Sequence, residues 1–178
     1  MSAAAPDLDQ TATSLARSAS ALMLLSAALS AYWAAGGTGL LDTVGGSIER
    51  WGRDGGAGVT LALTATVAIK LLAAWLPIRA VRGPYARAVR RLAWLQAAIL
   101  TIYGGVLTGT GVTIQAGLVN PGAHADWRAL DWHAYLWDPW FLIVGLLVLA
   151  ALRLTRVSSP SRTNATRTWQ PKGGLADR

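Results

Sequence analysis

Four apolar runs recur along the chain, separated by charged and glycine-rich segments. A helix needs about 20 apolar residues to cross a hydrocarbon layer of about 30 Å. The first run extends from about Arg17 to Ala35, and no charge interrupts Ser18 through Leu41. The second, from about Ala57 to Leu76, carries a single charge, Lys70. The third extends from about Leu92 to Val112, and the uncharged stretch continues to Ala123, room for a re-entrant or surface piece. The fourth extends from about Asp138 to Leu154. Asp138 reads there as an N-cap and Pro139 as the first helical residue. From Pro139 to Arg156 this run measures only roughly 27 Å. It spans the bilayer only if Trp137 and Trp140 sit in the interface.

The pattern predicts an all-α polytopic membrane protein, a four-helix transmembrane bundle with spans at about 17–35, 57–76, 92–112 and 138–154. The bundle occupies residues 17–155 and follows an N-terminal segment, 1–16. A tail, 156–178, is rich in Ser, Thr, Pro, Gly and Arg. It has too little apolar content to bury a core and reads as disordered. The first run has a second reading as a signal peptide, with Ala28 and Ser30 near a cleavage site. Asp7 and Asp9 against Arg17 make a poor basic leader for that role.

Composition fits a bilayer: 53% of residues are hydrophobic and 14% charged, against roughly a quarter charged in soluble domains. The chain has no cysteine, which excludes disulfides, thiolate metal sites and iron–sulfur clusters. The net charge of +7 could suggest nucleic acid, but the bases flank apolar runs without the spacing of a nucleic-acid motif. They read as topology signals. Arg79, Arg82, Arg87, Arg90 and Arg91 lie between the second and third runs, without an acid. Arg153, Arg156, Arg162, Arg167, Lys172 and Arg178 follow in or beyond the fourth, against Asp177 alone. The opposite loops hold Asp42, Glu49, Asp54, Asp126, Asp131 and Asp138 against Arg50, Arg53 and Arg128. The positive-inside rule then places both termini in the cytoplasm and the protein in the cytoplasmic membrane. Trp33, Trp132, Trp137 and Trp140 fall near the outer boundary, and Trp75 and Trp94 near the inner one, as interfacial indoles do. The rival reading of the outer set is an aromatic ligand cage. Asn164-Ala165-Thr166 is a glycosylation acceptor that would be inert on the cytoplasmic side.

Candidate chemistry is sparse. Lys70 is the first candidate, because an intramembrane charge is costly and marks function by default. It lies about 10 Å from Pro77 along a helix, so its stem can snorkel toward the inner boundary; snorkelling or packing is the preferred reading, and an anion, lipid or proton site the alternative. His124, Asp126, Asp131 and His133 are metal ligands in type, but their spacing fits no standard site. Gly105-Val106-Leu107-Thr108-Gly109 is a GxxxG suited to close helix packing within the bundle or, less favoured, to dimerisation. No phosphate loop, nucleophile elbow, zinc-protease or dinucleotide motif is present. The residues call for no cofactor.

Tyr32-Trp33-Ala34-Ala35-Gly36-Gly37 at the end of the first run, with Asp131, Tyr135, the Asp138-Pro139 approach and Gly145, resemble a family of small bacterial four-span membrane proteins. That family carries only a domain-of-unknown-function label. The resemblance covers most of 15–155 and implies the architecture, without an activity. Trp33, Gly36, Asp131, Tyr135 and Asp138 would share the outer ends of the spans, where they form either a small polar site or helix caps and anchors. The caps are the preferred reading.

The expected role is a non-catalytic accessory or binding protein. Its partners are the lipid bilayer and a protein partner or second copy, and nucleic acid is not among them. A small-molecule, lipid or ion carrier using Lys70 or the outer ends is the alternative, and a membrane enzyme follows.

Overall fold

The computed structural model describes residues 7–83 and 87–157. The described chain forms α1 (Leu8–Ala34), α2 (Leu41–Val44), α3 (Gly46–Asp54), α4 (Ala57–Arg82), α5 (Arg87–Gln115) and α6 (Trp127–Trp132). A π-helical turn, His133–Trp137, then leads directly into α7 (Asp138–Val157). There is no strand among the described residues. Four helical stretches are long and apolar enough to cross a membrane: Leu8–Ala34, Ala57–Arg82, Arg87–Gln115 and Trp127–Thr155. The protein is therefore an all-α, four-helix, multi-pass membrane protein. Two ends result. Ala34, Ala57, Gln115 and Asp138 mark the loop end; Leu8, Arg82, Arg87 and Val157 mark the arginine end.

Lipid tails are as apolar as leucine, so helices in a bilayer associate through close packing and hydrogen bonds rather than by hiding large apolar side chains. The sequence follows this rule. The buried positions are mostly small, among them Ala12, Ala16, Ala19, Ala93, Ala97 and Ala151, joined by Met23, Val144, Val148 and Leu152. Large apolar residues such as Leu61, Ile69, Ile102 and Val106 face outward. α1 packs against α4 and α7, and α5 against α7, while the α4–α5 seam is much looser.

The tight α5–α7 seam depends on three glycines. A Cβ on Gly104 would collide with the Leu142 backbone, one on Gly111 would meet Ala134 Cα at 2.9 Å, and one on Gly145 would meet the Thr101 nitrogen at 2.6 Å. The expected Gly105/Gly109 motif is not the contact. A Cβ on Gly109 would meet nothing within 4 Å, and one on Gly105 would touch only Leu142 Cδ1 at 3.8 Å. Residues seven apart, such as Gly104 and Gly111, lie on nearly the same side of a helix. The packed face lies beside the GxxxG face.

The fourth span corrects the sequence reading most. Asp138 is not an N-cap: its φ of −77° and ψ of −43° are helical. The helical stretch starts earlier, with Asp126 as the cap accepting from the Ala129 N–H at 3.1 Å. Pro139 has no N–H, and its ring crowds the carbonyl one turn earlier. The chain adapts by widening the preceding turn, where the Asp138 N–H donates to the His133 carbonyl five residues back. The helix continues through a proline that locally reads as a start. Its 29 residues reach roughly 44 Å, and the expected shortfall in length disappears.

The first helix also begins earlier than the apolar run, at Leu8, where Asp7 caps it by accepting from the Asp9 N–H at 3.0 Å. α1 stops at a Schellman motif: Gly37 N–H donates to the Tyr32 carbonyl and Gly36 N–H to that of Trp33. Gly36 takes the left-handed conformation this requires, with φ of +92°. α7 runs to Val157; the remainder of the expected disordered tail, with its bases beyond Arg156 and Asn164, lies outside the described residues, as do residues 1–6.

Candidate functional site

Lys70 lies midway along α4 and turns inward. Its ammonium donates to Ser30 Oγ at 2.8 Å and to the Ser26 carbonyl at 3.3 Å, both on α1. It also stands 5.9 Å from the centre of the Phe141 ring on α7, within cation–π range. Side chains on a helix lean toward its N-terminus, which for α4 is the loop end. The ammonium follows that lean: Ser30 lies one turn before the end of α1. This direction is opposite to the one snorkelling toward the arginine end requires. None of the ion pairs among the described residues includes Lys70.

Beside Lys70 the loose α4–α5 seam opens into a groove of about 410 Å³. Met23 and Phe141 reach it from the opposite helices, so its floor lies at the bundle centre. The walls are apolar except at Lys70, Thr66 and Gln96. Gln96 bridges the seam by donating from Nε2 to the Ala73 carbonyl at 2.8 Å. Its Oε1 is buried without a hydrogen-bond partner, an arrangement that costs free energy unless something supplies a donor. A second cavity of about 210 Å³ lies between α1 and α7 nearer the loop end, lined by Ser26, Leu29, Leu40, Trp137, Trp140 and Phe141 among others. The buried Trp140 indole N–H has no partner. Phe141 borders both cavities.

At the loop end α2 is clasped to the fourth span. Trp137 Nε1 donates to the Thr43 carbonyl and hydroxyl, each at 3.2 Å. His133 Nε2 lies 3.2 Å from the Val44 carbonyl, and His133 Nδ1 3.2 Å from Asp138 Oδ1. Both partners are acceptors. The two contacts are therefore hydrogen bonds together only with an imidazolium, or with the shared proton on the Asp138 carboxyl. Asp138 is 4% exposed, so this contact satisfies a group that would otherwise be costly to bury.

The loop-end candidates divide into two places. Trp33 joins the clasp: its ring meets Trp137 edge-on at 6.4 Å, and its N–H donates to the Gly39 carbonyl at 2.8 Å. Gly36 serves the helix stop, with open space on its side-chain side. Asp131 and Tyr135 lie elsewhere, on the surface. Asp131 accepts from Gln115 Nε2 at 2.6 Å, and Tyr135 is 68% exposed. Asp126, Asp131 and His133 have separate partners, and no three His, Asp or Glu gather as metal ligands among the described residues. Of the outer tryptophans, Trp137 meets both Trp33 and Trp132, and Trp137 and Trp140 line the smaller cavity.

Residues 23–148 match the family model described as protein of unknown function (DUF3995). The chain belongs to that family. No curated protein matches the chain, and no solved structure does. The DUF3995 match begins inside α1 and ends inside α7, so it contains Lys70, the groove and the clasp.

Within this DUF3995 region, sequence reasoning missed Gln96, Ser26 and Ser30. Gln96 carried a usable signal, since an amide inside an apolar span seeks a partner across helices. The serines carried less: small hydroxyls are ordinary in such helices, and only the rotation of α1 aims them at Lys70.

Proposed function

We propose that the protein is a non-catalytic binding protein of the cytoplasmic membrane that holds a negatively charged group at Lys70. The observation that carries this reading is an inward-facing lysine at mid-span with two neutral oxygens and no acid on it. A charge in a low-dielectric interior is tolerated when it is paired or fully hydrogen-bonded. A hydroxyl and a carbonyl occupy two of the three ammonium donors, which leaves one N–H and the net charge for a ligand. Among the described residues no His, Asp or Glu cluster that could hold a metal ion accompanies it, which supports binding over turnover.

Orientation follows from charge. Arg79, Arg82, Arg87, Arg90, Arg91 and Arg153 cluster at the arginine end against Asp7 and Asp9, whereas the loop end holds Asp42, Glu49, Asp54, Asp126, Asp131 and Asp138 against Arg50, Arg53 and Arg128. The arginine end is assigned to the cytoplasm, together with both termini. A carrier is the second reading, favoured by Phe141. That ring separates the larger groove, toward the arginine end, from the smaller cavity near the loop end, and Lys70 stands beside it.

Thermal unfolding in a neutral detergent tests the binding reading. Lysophosphatidylglycerol added at low mole fraction should raise Tm, because a ligand that binds only the folded state stabilises it. Lysophosphatidylcholine, with no net charge, should not. Lys70→Met should abolish the difference. Equal responses to the two lipids in the wild type would remove the case for an anion at Lys70.

A further inference from the structure

We infer that the occupant of the α4–α5 groove is a single-chain carboxylic acid: its acid group sits on Lys70 and its hydrocarbon chain leaves between α4 and α5 into the bilayer. This rests on the reading of Lys70 as an anion-binding residue and names the ligand class.

The groove opens sideways. Ile69 and Leu72 on α4 and Leu95 and Ile99 on α5 line it and are all exposed on the bundle surface, so its lips meet lipid. A ligand arriving by this route must be mostly apolar. The groove, of about 410 Å³, suits a single hydrocarbon chain with its head.

The depth of Lys70 selects the head group. A bilayer phospholipid keeps its phosphodiester at the interface, and a permanently charged group is expensive to bring to mid-span. A carboxylic acid sheds its charge by taking up one proton and then enters hydrocarbon at far lower cost. Lys70 lines the groove among apolar side chains. The remaining Lys70 N–H offers a donor to a carboxyl oxygen. The stem of Lys70 and the ring of Phe141 form an apolar floor around the head.

The test uses the full chain in phosphatidylcholine nanodiscs with carboxyl-labelled palmitic acid, read by carbon-13 NMR. The wild type should show a carboxyl resonance distinct from that of palmitate dissolved in the bilayer. Lys70→Met should lose it. So should Ala73→Phe, which fills the groove and leaves the charge in place; each variant is checked for unchanged helix content. Methyl palmitate, with the same chain and no acid, should not displace the bound signal. A bound resonance that persists in folded Lys70→Met, or that yields to methyl palmitate, overturns the assignment. If palmitate gives no bound signal while lysophosphatidylglycerol still raises Tm through Lys70, the ligand class is wrong and the anion site stands. If neither responds, both fail.

Discussion

Two seams of the bundle share one helix and differ in almost every respect. On one side α5 meets α7 and the π-helical turn before it so closely that a Cβ on Gly104, Gly111 or Gly145 would collide with opposing atoms. On the other side α5 meets α4 more loosely, with Gln96 donating across to the Ala73 carbonyl, and leaves a groove. Helix association in lipid draws on close packing and interhelical hydrogen bonds, so the glycine seam, with the α1–α4 and α1–α7 seams, holds the fold together. An open seam with a lysine at its floor contributes little to packing and keeps polar groups incompletely satisfied. Proteins tolerate such sites where function requires them. The contrast puts close packing at α5–α7 and the proposed binding site at α4–α5.

Breaking the glycine seam should have the largest effect. Gly104→Leu places a side chain into the Leu142 backbone and should destabilise by about 3 kcal/mol or more, at the upper end of overpacking costs. Loss of folded, monodisperse protein in detergent would register it. Asp138→Ala comes next. It strips His133 of a buried partner and should cost about 1–3 kcal/mol, read as a lower unfolding midpoint. A His133→Ala/Asp138→Ala double mutant should fall well short of the summed single effects, as contacting residues do.

Lys70→Met should change stability by about 1 kcal/mol or less in either direction, since an apolar residue of similar volume relieves an unpaired charge. Binding of an anionic amphiphile should meanwhile weaken at least tenfold, about 1.4 kcal/mol. This split between stability and binding would sharpen the assignment of the open seam. The smallest effect belongs to Gly109→Ala, which faces open space. It should be neutral or raise stability by up to about 1 kcal/mol through helix propensity. A marked loss in Gly109→Ala would show that the GxxxG face has a partner, such as a second copy of the chain.

The same contrast marks how far the sequence could be read. The four spans were legible because long uncharged runs are a property of the solvent a helix faces, independent of how helices pair. Lys70 was legible for the same reason. Which helix it addresses was not, because Ser26 and Ser30 lie 44 and 40 positions away and only the packing rotation selects them. Consecutive glycines at Gly104-Gly105 hid the seam: both faces contain a small residue there, and the regular GxxxG spacing pointed to the wrong one. Asp138-Pro139 misled because its local chemistry starts helices, whereas the folded chain carries a helix through it with one widened turn. The loop-end group was half legible. Trp33 and Asp138 do meet the clasp, but Asp131 and Tyr135 turn to the surface, since a helix face depends on rotation as well as depth.

The central claim, that Lys70 holds an anion within the bilayer, is tested most directly by native mass spectrometry of the protein extracted from its own membrane in mild detergent. Wild type and Lys70→Met are compared side by side. The account predicts an additional mass of an acidic, chain-bearing molecule on the wild type that is missing from the variant. An unliganded protein in both, or the same adduct in both, would contradict it.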